Sequence, residues 1–154
     1  GLGSPHWEAE ARGTVTGLTR GTTRAHLVRA ALEAMAFSSA ELVELMRDDA
    51  HLGAGALRVD GGASANDWLM QFLADALGAP VERPDMFETT ALGAAGLAGI
   101  TLGIWRDTAQ FLEARRFTRF EPASTEEERR RGREGWDRAV HAALAWARFE
   151  RREP

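Results

Sequence analysis

The sequence predicts an α/β domain, in which helices pack on a sheet of few strands that is at least partly parallel. Short strand-like segments alternate three times with segments of helical periodicity, a pattern typical of layered α/β folds. The 154 residues, 44% of them hydrophobic, suffice for one core and are too few for two independent domains. We therefore expect residues 1–154 to form a single domain.

The first strand and helix are predicted near the start of the chain. Residues 13–18, G-T-V-T-G-L, are rich in β-branched residues and bounded by glycines, which predicts a short strand. Farther on, residues spaced by three and four predict one long amphipathic helix. This stripe consists of Leu27, Val28, Ala31, Leu32, Met35, Ser39, Leu42, Val43 and Met46.

The second strand and helix enclose a pair of glycines. Residues 56–59, A-L-R-V, predict a strand that leads directly into Gly61 and Gly62. Ser64, with Asp67 three residues later, predicts a capping box for the next helix, and Gly78 predicts its end. The buried face of this helix is expected to comprise Trp68, Leu69, Phe72, Leu73, Ala76 and Leu77.

The third strand is predicted at residues 80–84, at an edge of the sheet, because prolines bracket it. Residues 88–90, E-T-T, predict the capped start of a helix of small residues that ends near Gly103. Each internal glycine costs a helix about 1 kcal/mol relative to alanine, so we expect close packing against a sheet or ligand. These glycines are Gly93, Gly96 and Gly99.

The remaining segments are a short helix near residues 108–112, an extended R-F-T-R-F-E-P and a long helix over residues 124–149. Three glutamates occupy the first turn of that last helix, where they favour the positive end of its dipole. The run E-E-E-R-R-R-G-R-E interleaves both signs of charge, which favours a solvated helix face over an RNA contact.

Composition excludes several classes of protein. A net charge of −4 argues against partners such as nucleic acid or an anionic membrane, and the absence of cysteine excludes thiolate metal sites. No apolar run approaches the roughly 20 residues that span a bilayer, and no signal peptide is evident. The four histidines are scattered, so we expect no bound metal. A soluble, cytoplasmic protein is expected.

The motif D-G-G-A-S-A-N is the main candidate site. Gly61 and Gly62, between a strand and a helix N-terminus, can present bare backbone N–H groups to a phosphate or nucleotide. Asn66 offers both a donor and an acceptor for a purine or ribose. The alternative is a tight turn that needs positive φ. The motif is neither G-x-G-x-x-G nor a P-loop, so the residues alone leave both interpretations open.

Several motifs in order resemble the C-terminal domain of the FGGY carbohydrate kinases, and the glycerol kinases among them most closely. G-L-G-S-P-H-W resembles that family's G-L-x-A-P-Y-W segment, and A-R-G-T-V-T-G-L-T-R-G-T-T-R-A-H follows it in the family's order. R-V-D-G-G-A-S-A-N-D resembles the family's adenine-nucleotide turn, and V-E-R-P and E-T-T-A-L-G-A-A resemble the next two elements. The resemblance covers about residues 1–147.

The resemblance implies an actin-like, ribonuclease-H-like ATPase fold with two such domains around a cleft. It implies that Gly62 and Asn66, beside Gly61, contact ATP or ADP, with Mg²⁺ as a further cofactor of the parent enzyme. By the same resemblance, this chain lacks the first strands of its domain and the whole N-terminal domain. Since the catalytic base and the substrate contacts belong to the absent part, we assign no catalytic residue and expect this chain alone to be inactive.

The implied parent reaction transfers the γ-phosphoryl group of ATP to glycerol, and glycerol would be contacted only through the N-terminal domain. Two alternatives remain at this point: a stand-alone, non-catalytic nucleotide-binding or interaction module, or part of another FGGY kinase that acts on xylulose or gluconate. The strand at residues 13–18 would leave a neighbouring edge exposed, so we also expect self-association through that edge or the apolar surface around it.

Overall fold

The computed structural model describes residues 1–51, 53, 55–113 and 115–150 of the chain. From α1 onward, its regular elements follow the predicted alternation of strands and helices. They are α1 (Arg24–Ala50), β1 (Leu57–Arg58), a 3₁₀ turn (Gly62–Ala65), α2 (Asp67–Leu77), β2 (Val81–Pro84), α3 (Thr89–Thr101), α4 (Thr108–Glu113), β3 (Phe117–Phe120) and α5 (Glu126–Glu150).

The sheet has three strands in the order β1-β2-β3, with β1 parallel and β3 antiparallel to β2. A partly parallel sheet is therefore confirmed, but the prediction of residues 80–84 as an edge strand is wrong. Pro80 lies just before β2, where its carbonyl accepts a hydrogen bond from Leu57 N at 2.8 Å, and Pro84 is the last residue of β2. The missing proline N–H groups thus fall at the ends of the strand, which leaves its centre free to pair on both sides.

The strand predicted at residues 13–18 is wrong. This segment is irregular, and the exposed fractions of Val15 and Leu18 are 62% and 59%. Among the described residues no strand pairs with it, and an extended segment needs a partner to satisfy its ladder of backbone hydrogen bonds. Self-association stays a prediction, although no strand forms at residues 13–18 to create the edge predicted there.

The core lies where α2 is enclosed by α1 on one side and by the sheet on the other. Alanines allow close approach, since Ala36 and Ala40 of α1 and Ala74 of α2 are at most 1% exposed. Leu69, Met70, Leu73 and Leu77 complete the buried face of α2, and Val81 extends the core to β2. Most of the predicted stripe on α2 is confirmed, and Gly78 ends the helix in the left-handed conformation, as predicted.

Helix α5 packs across α1 and α2 through an aromatic cluster. The Phe37 ring meets Phe72 edge-on at 5.3 Å and stacks on Trp136 of α5 at 6.1 Å. The Arg133 guanidinium also pairs with Glu44 at 2.6 Å. The first turns of α5 carry exposed ion pairs such as Arg130–Glu127, which confirms the predicted solvated face. None of the described helices is both long and apolar enough to cross a membrane.

Two of the three internal glycines of α3 make room for aromatic rings, where packing against a sheet or ligand was expected. A Cβ atom on Gly96 would lie 2.5 Å from the Phe111 ring, and one on Gly99 would overlap the Trp105 ring. A Cβ atom on Gly93 would meet nothing within 4 Å. The cap predicted at residues 88–90 is also wrong, because Glu88 makes no capping hydrogen bond and Thr89 donates instead to Asp60.

Substitution of Gly99 by alanine is expected to destabilise the protein although alanine is the better helix former. Displacement of the Trp105 ring should cost about 1–3 kcal/mol, against a gain in helix propensity of about 1 kcal/mol. The matched control is Gly93→Ala on the same helix, which should gain that propensity without a clash. Urea unfolding of both variants checks this, and equal stabilisation by both would contradict it.

Glu82 is the ionic centre of the exposed face of the sheet. Its carboxylate accepts hydrogen bonds from Arg119 of β3 at 2.8 Å and from Arg58 of β1 at 3.3 Å, so it joins all three strands. These hydrogen bonds, with the one from Arg119 the larger cause, lower the pKa of the Glu82 carboxyl below its ordinary value of 4.5.

Stability is expected to fall in acid partly because Glu82 becomes protonated. A carboxyl whose pKa is lowered by folding stabilises the protein above its unfolded pKa, and this contribution is lost as the pH falls through the folded pKa. The Glu82→Gln variant should therefore show a shallower loss of thermal stability below about pH 4.5 than the parent. Glu113→Gln, at an exposed helix residue, is the control and should keep the parent's slope.

Candidate functional site

The candidate site lies at the carboxyl ends of the two parallel strands, where α/β folds commonly bind ligands. The chain leaves β1, turns at Gly61 and Gly62, and enters α2 through the 3₁₀ turn. Gly61 N donates to the carbonyl of Phe87 at 3.0 Å, and the Thr89 hydroxyl donates to the Asp60 carboxylate. The segments that follow β1 and β2 are therefore tied together at this edge.

The two glycines have different roles in this turn. Gly61 has φ 82° and ψ 171°, a conformation that residues with a Cβ atom rarely adopt, so the tight-turn interpretation holds for Gly61. Gly62 is exposed, a Cβ atom on it would meet nothing within 4 Å, and no described residue accepts a hydrogen bond from its N–H. Gly62 therefore presents an open stretch of backbone with an unused donor.

Ser64 stabilises the turn from inside. Its side chain is buried, its hydroxyl donates to the Gly61 carbonyl at 2.7 Å, and its N–H donates to the same carbonyl at 3.1 Å. The predicted capping box of Ser64 and Asp67 is wrong, because the 3₁₀ turn separates Ser64 from the first turn of α2.

Asn66 is the residue that caps α2. Its Oδ1 accepts a hydrogen bond from Leu69 N at 3.1 Å, and its backbone lies in the extended region that an N-cap requires. The sequence predicted that both polar atoms of Asn66 would be available to a ligand, but the cap uses one lone pair of Oδ1. Asn66 is an exposed residue, and its Nδ2 donates to no described residue, so this amide is the group most open to a ligand.

Arg83 on β2 supports the turn from the sheet, and the sequence analysis missed it. Its Nη1 donates to the Ser64 carbonyl at 2.9 Å and to Asp67 Oδ1 at 2.6 Å. Side chains alternate along a strand, so Arg83 is on the same side of β2 as the fully buried Val81. An arginine at an inward-facing position was the signal that could have revealed it.

The side chains at the turn do not form a metal site within the described part of the chain. Among the residues that the structure describes, no three His, Asp or Glu side chains converge in a way that could hold a metal ion. What the turn offers instead is a set of donors: the Gly62 N–H, the Asn66 amide and the N-terminal end of α2. Donors at a helix N-terminus suit an anionic or polar ligand.

Residues 1–102, which include the whole turn, match the C-terminal domain of the FGGY family of carbohydrate kinases. The chain belongs to this family. Among curated relatives, the glycerol kinase of Deinococcus radiodurans is 54% identical over 147 residues, which are 95% of this chain and 29% of that protein. The chain thus spans about 30% of the length of the relatives it matches.

Solved structures of FGGY kinases share this fold. The structure of Plasmodium falciparum glycerol kinase with ADP superposes with a TM-score of 0.81 and 34% identity, covering 94% of this chain and 29% of that one. Xylulose kinase from Lactobacillus acidophilus gives a TM-score of 0.73 at 23% identity, covering 92% of this chain and 29% of that one, a likeness of fold alone. The predicted actin-like fold is confirmed.

Loss of the Asn66 cap is expected to destabilise the protein. In Asn66→Ala the N–H of Leu69 loses its acceptor, which should lower the free energy of unfolding by about 1 kcal/mol. Asn66→Ser is the matched control, because a serine oxygen also caps helices well and should recover most of that loss. Urea unfolding measures both, and equal destabilisation by serine and alanine would contradict a capping role.

Proposed function

We propose that this chain is the nucleotide-binding C-terminal part of an ATP:glycerol 3-phosphotransferase, which converts glycerol and ATP to glycerol 3-phosphate and ADP. The observation that carries the proposal is the 54% identity with a glycerol kinase along 95% of the chain. Among solved structures, the identity is 34% to a glycerol kinase and 26% to a xylulose kinase, which favours a glycerol substrate over xylulose. In this proposal residues 1–154 form one part of the enzyme, and other parts contact glycerol.

The proposed binding mode uses the two open donors of the turn. Gly62 would let its backbone approach the adenine nucleotide because it has no Cβ atom, and its N–H would donate to the ligand. The Asn66 Nδ2 would donate a second hydrogen bond while Oδ1 keeps the helix cap. Gly61 would contribute by conformation, through its positive φ. The ADP in the Plasmodium glycerol kinase structure supports an adenine nucleotide as the ligand.

We also propose that this chain alone does not transfer phosphoryl groups. Phosphoryl transfer depends on the positioning of both substrates and on electrostatic stabilisation of the transferred group. We propose only a nucleotide contact for the described turn and assign none of its residues as a catalytic base. We likewise assign no residue of this chain to the Mg²⁺ that accompanies ATP in kinases.

Titration with ADP is expected to shift the amide NMR signals of Gly61, Gly62 and Asn66 saturably. Asn66→Ser should bind ADP about tenfold more weakly, because it keeps the helix cap but loses the amide donor. Pyrophosphate is the matched ligand control: if Asn66 contacts the nucleoside, the serine variant should lose affinity for ADP and not for pyrophosphate.

A well-dispersed spectrum that ADP leaves unchanged at millimolar concentration would contradict nucleotide binding by this chain. Parent affinity in a stable Asn66→Ser variant would remove Asn66 from the site and leave the glycine backbone as its only proposed contact. The same samples, supplied with glycerol, ATP and Mg²⁺, test the proposed inactivity, since formation of glycerol 3-phosphate above the rate without protein would contradict it.

A further inference from the structure

Arg83 is a charged residue on the inward-facing side of β2, and packing alone does not explain its position there. Its side chain is only 12% exposed, whereas that of its carboxylate partner Asp67 is 75% exposed. The guanidinium lies against two aromatic rings, at 5.3 Å from the centre of Phe87 and 5.2 Å from that of Phe120. Cation–π contacts of this kind stabilise a desolvated arginine and restrict its orientation.

The hydrogen bonds of Arg83 lead to the candidate site and not to solvent. The Ser64 carbonyl, which accepts at 2.9 Å, belongs to the 3₁₀ turn that joins Gly62 to Asn66. Carbonyls in the last turn of a helix accept no hydrogen bond from the helix itself, so they need a donor from elsewhere. Hydrogen bonds from a charged donor are roughly twice as strong as neutral ones, so this bond restrains the turn more than a neutral donor would.

Ser64 is held from both sides as a result. Its hydroxyl and N–H bind the Gly61 carbonyl, and its own carbonyl binds Arg83. Arg83 also reaches the first residue of α2, Asp67, so the same guanidinium sets the turn and the start of the helix that Asn66 caps. The directions of the Gly62 N–H and the Asn66 amide therefore depend on a residue of the neighbouring strand.

We propose that Arg83 is a positioning residue of the nucleotide site, one that holds the Gly62–Ala65 turn in its binding geometry without touching the ligand. This inference rests on the proposed function of the turn. Its mostly buried side chain, with the guanidinium against Phe87 and Phe120, acts through Ser64 and Asp67. Its removal should loosen the turn and weaken nucleotide binding, although every group that contacts the nucleotide remains present.

The test compares Arg83→Met with two controls in the 154-residue chain. Arg119→Met removes an arginine from the next strand, where it is 47% exposed and paired with Glu82 and Glu121. Gly99→Ala lowers stability at α3, away from the turn. For each variant we would measure the ADP affinity by amide NMR titration, the hydrogen exchange of the Ser64 and Asn66 amides, and the urea midpoint.

Arg83→Met is expected to weaken ADP binding about tenfold and to speed exchange at Ser64 and Asn66, because a charge-assisted hydrogen bond is lost. Arg119→Met and Gly99→Ala should keep the parent's affinity and its exchange at these two amides, whatever their urea midpoints. Parent-like affinity and exchange in folded Arg83→Met would overturn the inference, as would an equal loss of affinity in Gly99→Ala.

Two further outcomes separate this inference from the proposed function. If the parent itself does not bind ADP, the proposed function fails, and the hydrogen-exchange data alone decide whether Arg83 positions the turn. Faster exchange at Ser64 and Asn66 that is confined to Arg83→Met supports this positioning role. Unchanged exchange overturns it. If Arg83→Met does not fold, Arg83→Lys replaces it, because its ammonium keeps the charge but lacks the planar guanidinium. The same two criteria then apply to the lysine variant.

Discussion

The close contact between α1 and α2 is the constraint on which the rest of the structure depends. Ala36, Ala40 and Ala74 are small enough for the two helices to approach, and all three are almost completely buried. Larger side chains here would separate the helices, and a repacked core would cost about 1–3 kcal/mol. Because α2 also packs on β2, this contact fixes where the N-terminus of α2 meets the edge of the sheet, and with it the position of the candidate site.

Stability and proposed binding share the same side chain at that N-terminus. The Asn66 Oδ1 caps α2, and its Nδ2 donates to no described residue, so one exposed side chain can serve the helix and a ligand at once. The positive φ at position 61 requires a glycine there. At position 62, nothing in the described part of the chain would clash with a Cβ atom, so the fold does not require a glycine. The contrast explains why a glycine pair is informative here: only the second glycine is unexplained by folding, and it is the one we propose for the nucleotide.

In contrast to the buried core, helix α3 and residues 13–18 carry apolar residues that have little to pack on. Leu97 and Leu102 are 69% and 76% exposed, although α3 is apolar on nearly all sides. Helices of that composition are normally buried. Within the described residues, α3 packs mainly on α4, through the Phe111 ring and the nearby Trp105. These surfaces add little to the stability of the fold, which depends on the α1, α2 and sheet layers.

The sequence by itself determined the presence and order of α1, α2 and α5, the end of α2 at Gly78 and the family, because periodicity and capping residues are local properties of the chain. Only the tertiary structure decided what depends on distant partners. It made β2 the central strand, left residues 13–18 unpaired, gave the cap to Asn66 in place of Ser64, and brought Arg83 to the turn from 19 residues away. Hydrogen bonds between strands, and between a strand and a turn, join residues that no local pattern relates.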